Sequence, residues 1–70
     1  MDLEVKLKLR KLLDGVKLNS DLGANRSARA RARLAYYLAR RAVRLAPRDP
    51  EVRRLLATAR AQFVRMGGRV

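Results

Sequence analysis

Apolar residues recur along this chain in three stretches, separated by two clusters of turn-forming residues. The clearest is the last. Val52, Leu55, Leu56, Ala59, Phe63 and Met66 repeat at intervals of three and four, the spacing of one helical face. Asp49-Pro50-Glu51 precedes them. Asp is a preferred N-cap, Pro suits the first helical position, and Glu complements the positive helix end. Gly67-Gly68 then ends the element, leaving Arg69-Val70 as a frayed tail. The pattern predicts a helix from 50 to 66.

Segment 26–46 is built from Ala, Leu and Arg, all strong helix formers. Asn25 or Ser27 can cap it by accepting a bond from a free backbone N–H. At about 100° per residue, Leu34, Ala35, Leu38, Ala39, Ala42, Val43 and Leu45 occupy one side. Arg26, Arg29, Arg33, Arg40, Arg41 and Arg44 gather on the other, with Tyr37 among them. Arg31 falls on the apolar side, so the first turns are expected to be less buried. Pro47, which lacks an N–H and disfavours helical geometry before it, stops the helix. The second and third helices are therefore expected to be antiparallel across a tight Pro-Arg-Asp-Pro turn.

The first stretch, 2–13, has two readings. Leu3, Val5, Leu7 and Leu9 alternate with charges at period 2, as in a half-buried strand. Val5, Leu9, Leu12, Leu13 and Val16 fall instead on one helical face. The rest of the chain has no second alternating run to pair with, and an unpaired strand leaves its backbone groups unsatisfied. Helix is preferred, and a strand pairing with its own copy in a dimer is the alternative. Asp14-Gly15 is expected to end the element. Residues 14–25 read as turn chemistry, with room for one short helical turn near Ser20. The fold expected is all-α: one domain over residues 1–70, in which an amphipathic segment (1–18) precedes a helical hairpin (26–46 and 50–66).

Seventy residues leave no room for a second domain, and a core this small is marginal alone. Hydrophobic residues at 49% are too many for a disordered chain. No run of about 18 apolar residues exists for a membrane span, and residues 1–18 lack the continuous apolar run of a secretory signal. An intracellular, cytoplasmic protein is expected.

Eighteen Lys and Arg against six Asp and Glu give a net charge of +12. Residues 1–17 contribute only +2 of it, and residues 22–48 contain no acid at all. Mutual repulsion weakens the isolated fold, so a charge-neutralising partner or self-association is expected.

Catalysis finds no chemistry to use. His and Cys are absent, the six acids are scattered, and Ser20, Ser27 and Thr58 have no nearby base. No enzyme activity, metal, cofactor or small-molecule substrate is expected.

Residues 35–57 resemble the second helix of a tetratricopeptide repeat running into the next unit. Leu22-Gly23 precede Ala35 at the repeat's 13-residue spacing, Ala39 follows at i+4, and Pro47 closes the unit. Asn19, Arg26 and Ala39 stand where the family usually carries Trp, Tyr and an aromatic. Over residues 19–66 the resemblance implies helical-hairpin packing and a protein-binding surface. It transfers no binding residue.

The arginine face is the candidate site. Arg26, Arg29, Arg33, Arg40, Arg41 and Arg44 span about 27 Å of helix, and guanidinium binds phosphate bidentately and stays charged. Tyr37 can stack on an unpaired base or pack against Arg33 or Arg41. Solvated faces normally mix signs, and the intrahelical Glu–Arg pairs that accompany them are missing here. Gln62 is the only Asn or Gln inside an expected helix, so sequence readout of bases is not expected. The expected function is binding of an RNA or DNA backbone within a nucleoprotein assembly. The alternative is a tetratricopeptide-like module that binds an acidic protein or self-assembles into a homo-oligomer. A membrane surface fits less well, because the apolar face of 26–46 is mostly Ala.

Overall fold

The computed structural model describes residues 3–23 and 25–69. Met1, Asp2, Ala24 and Val70 lie outside them. Three helices follow one another: α1 (Leu3–Asp21), α2 (Asn25–Leu45) and α3 (Pro50–Arg65). They form a flat body of 35 × 23 × 14 Å in which α2 packs against both α1 and α3.

Between the two expectations for the first stretch, the helix prevails. Leu9, Leu13 and Val16 are buried and Val5 and Leu12 half-buried, all on one helical face. A strand would have put Leu3 and Leu7 on the same side as Leu9, yet they are 66% and 45% exposed.

The expected stop at Asp14-Gly15 is corrected: α1 runs on to Asp21, and the turn shrinks to the residues around Gly23. An interior Gly costs a helix about 1 kcal/mol relative to Ala. Burial of Val16, one turn past the expected end and in phase with Leu9 and Leu13, outweighs it. Gly15 also makes room for a neighbour. A Cβ there would lie 3.0 Å from Arg31 Nη1 and 3.3 Å from Arg31 Cδ, so the long side chain from α2 crosses α1 over bare backbone. The helix ends with Leu22 N–H donating to Leu18 C=O, Gly23 N–H donating to Ser20 C=O, and Gly23 at φ +80°.

The second helix lies where expected, but its buried face is rotated from the expected one. Leu34 and Leu45 are 54% and 72% exposed, while Ala28 and Ala32 in the first turns are fully buried. Ala28, Ala32, Ala35, Ala39 and Ala42 alternate steps of four and three, the seam spacing of closely packed helices. A helix held between two neighbours approaches both most closely along its smallest side chains. The bulk is supplied by α1 and α3, and from α2 itself by Tyr36. Arg31 is exposed and lies across Gly15, so it does not lift the first turns out of the core. Asn25 is itself the first helical residue, with Ser27 inside the first turn.

The Pro turn and α3 follow the sequence closely. Asp49 N–H donates to Ala46 C=O, closing the turn around Pro47. The Asp49 carboxylate accepts from the N–H groups of Glu51 (3.0 Å) and Val52 (3.4 Å), with Pro50 at the first helical position. Val52, Ala59 and Phe63 are buried, and Leu55, Leu56 and Met66 pack against them. At the far end, Gly68 N–H donates to Phe63 C=O and Gly67 N–H to Val64 C=O, with Gly67 at φ +87°. This pair of bonds is the Schellman cap.

Candidate nucleic-acid interface

A continuous α2 carries the arginine face as a rod. Arg26, Arg29, Arg33, Tyr37, Arg40, Arg41 and Arg44 are all exposed, and on a regular helix they share an arc of about 120°. The buried alanines lie opposite the middle of that arc.

Within it the side chains differ in role. Arg33 lies over the Tyr37 ring, its guanidinium carbon 5.8 Å from the centroid. Tyr37 is thus held by Arg33 and remains 49% exposed. Arg40, at the edge nearer α3, lies 5.6 Å from the centroid of Tyr36. That ring in turn stacks on Phe63, with centroids 5.3 Å apart and planes at 21°.

The acids of the fold are placed elsewhere. Three ion pairs join α1 to the start of α3. Lys6 Nζ reaches Asp49 Oδ2 at 2.7 Å and Glu51 Oε2 at 3.2 Å, and Arg10 Nη2 donates to Glu51 Oε1. The bond from Lys6 holds the Asp49 carboxyl below its ordinary range against the cost of desolvation, and the N–H of Val52 adds a lesser pull in the same direction as Lys6. None of these pairs reaches an α2 arginine.

Two arginines join the site that the sequence reading left out. Arg26, Arg29, Arg33 and Tyr37 border a hollow whose other side is the end of α3, where Arg69 lies beside Gly67 and Gly68. Arg65 borders the neighbouring hollow with Arg26 and Arg29. The signal was present: an antiparallel hairpin turning at 46–49 must bring the last turn of α3 beside the first turns of α2. The longer helices also put Asn19 inside α1 and Asn25, exposed, at the head of α2, beside Arg26. Gln62 is therefore not the only amide on a helix. Its own Oε1 is buried without a hydrogen-bond partner, on the face of α3 away from the arginine arc.

Leu22 and Gly23, which carry part of the tetratricopeptide resemblance, lie at the turn between α1 and α2. Comparison with protein-family models, with curated proteins and with solved structures finds no match to this chain. Among the described residues no helix is long and apolar enough to cross a membrane.

Proposed function

We propose that this protein binds the phosphate backbone of RNA or DNA through the outer arc of α2, without strong sequence preference, as a subunit of a nucleoprotein assembly. The observation that carries this reading is the row of six exposed arginines on one continuous helix, in a stretch without a single acid. Arg65 and Arg69 extend the row around the end of α3. Guanidinium groups spaced along a rod meet a regular row of phosphates, and each contact releases condensed counterions. Tyr37, exposed and steadied by Arg33, offers a face for one unpaired base. A lone exposed amide, Asn25, leaves backbone contacts dominant.

Fluorescence anisotropy with a 20-base-pair duplex and a 20-nucleotide single strand, at a series of salt concentrations, tests the reading. Six phosphate contacts on duplex DNA give a log–log slope of about −5. A slope near zero with both probes refutes it.

A further inference from the structure

On the side of the α2–α3 pair away from the ion-paired α1 lies a second surface, a groove of about 980 Å³. Its residues all come from α2 and α3. The floor is apolar: Val43, Leu56, Ala57, Ala61 and Val64, with the edge of Tyr36. Val64 is 49% exposed. Arg40 from α2 and Arg53, Arg60 and Arg65 from α3 stand along it, and no acid lines it. We propose that this groove docks an acidic amphipathic helix of a partner protein, whose leucine-type face lies on the floor and whose Asp and Glu flanks meet the four arginines.

Charge and shape select this occupant. A second copy of a chain carrying +12 would bring arginine against arginine. A nucleic-acid backbone would satisfy the guanidiniums but would gain nothing from covering Leu56, Val64 and Val43. The one aromatic ring in the groove is already stacked on Phe63 and covered by Arg40. A helix laid in a hydrophobic groove presents anchors at i, i+3, i+4 and i+7. From Arg53 to Arg65 α3 rises about 18 Å, so the partner helix engages over three to four turns. Exposed Ala57 and Ala61 let its backbone approach closely. This surface shares Arg40 with the outer arc of α2 and Arg65 with the extension of that arc around α3, while its apolar floor lies outside both, so the protein can hold a nucleic acid and a protein together.

The probe is a 16-residue helical peptide with Leu at i, i+3, i+4 and i+7 and Glu on both flanks, compared with a scrambled peptide of identical composition. NMR shift mapping on the unaltered protein should confine the changes to Val43, Leu56, Ala57, Ala61 and Val64. The ordered peptide should bind at least tenfold more tightly than the scrambled one. Val64→Asp with Arg60→Glu should abolish that difference while the salt slope of duplex DNA binding stays that of the parent. Three results overturn the proposal: equal affinity for both peptides, shifts that follow the outer arc of α2, or shifts at Val64 and Ala57 caused by the oligonucleotide. The mapping needs no variant, so a failure of the double variant to fold leaves the proposal testable.

Discussion

Lys6 Nζ stands 2.7 Å from Asp49 Oδ2, so the residue that caps α3 also helps, beside Glu51, to tie α3 to α1. One carboxylate therefore acts at two junctions of the fold. Its native acidity is increased by the Lys6 bond, so the stabilisation is fully present above the ordinary carboxylate value of about 3.9. It is lost as pH falls from there through the lower native value. Asp49→Asn should keep the cap, weaken the tie to Lys6 and flatten the acid side of the stability curve. Asp49→Ala should lose both and melt lower than Asp49→Asn at neutral pH. Thermal unfolding followed by circular dichroism between pH 3 and 7 measures both. An unchanged acid limb in Asp49→Asn would remove this carboxylate from the pH response.

Gly15 and Arg31 make the second prediction. Gly15→Ala should raise stability by about 0.5–1 kcal/mol, the ordinary gain at a helix interior. The nearest atoms the added Cβ meets belong to the side chain of Arg31, which is exposed and free to move a few tenths of an ångström. With Arg31→Ala in the background, the same change should give the whole gain of about 1 kcal/mol. Urea unfolding of the four proteins decides it. A loss in the single variant would show that Arg31 is fixed where it crosses α1.

What was legible in the sequence depended on whether one helix or two neighbours set the outcome. The stripe of α3 and the Asp49 cap were legible because cap, Pro and spacing all agree within one segment. The inward face of α2 was legible only in part: Ala35, Ala39 and Ala42 were expected there and are buried, but Leu34 and Leu45 were expected with them in place of Ala28 and Ala32. Leu34 and Leu45 are more hydrophobic than Ala28 and Ala32, but a helix held between two others is positioned by closeness of approach, which favours Ala. Gly15 misled for a related reason: its local signal is a stop, and what overrides it is the burial of Val16 with Leu9 and Leu13 against the neighbouring helices. The outer arginine arc was legible, since repeated charge at helical spacing has few ways to be buried. The hollows shared with Arg65 and Arg69 required the hairpin to be folded first.

The outer arc should show stability and binding moving in opposite directions. Arg26→Glu with Arg33→Glu places an acid in the first turn of α2, where none stands now, and pairs both new carboxylates with Arg29 at i+3 and i−4. Helix dipole and ion pairs together favour the variant by about 1 kcal/mol, less roughly 0.5 for the lost Arg33–Tyr37 contact. The variant should melt no lower than the parent yet bind duplex DNA at least tenfold more weakly at low salt, with a shallower salt slope. Retained affinity would place the polyanion on another face.

Tyr36 joins the core to the groove, and its two sides can be separated. The ring is 9% exposed and stacked on Phe63, which a Cβ at Gly68 would overlap. Tyr36→Ala should cost about 3 kcal/mol, a large share of the stability of a chain this short. Tyr36→Phe keeps the stacking and should stay within about 0.5 kcal/mol of the parent, since the change is confined to one edge of the ring. Gly68→Ala should cost about 1 kcal/mol by forcing either the buried ring or the Schellman cap to shift. If Tyr36→Ala unfolds in urea close to the parent midpoint, Ala28, Ala32, Ala35, Ala39 and Ala42 carry the packing of α2 without it, and the aromatic pair serves only to shape the groove.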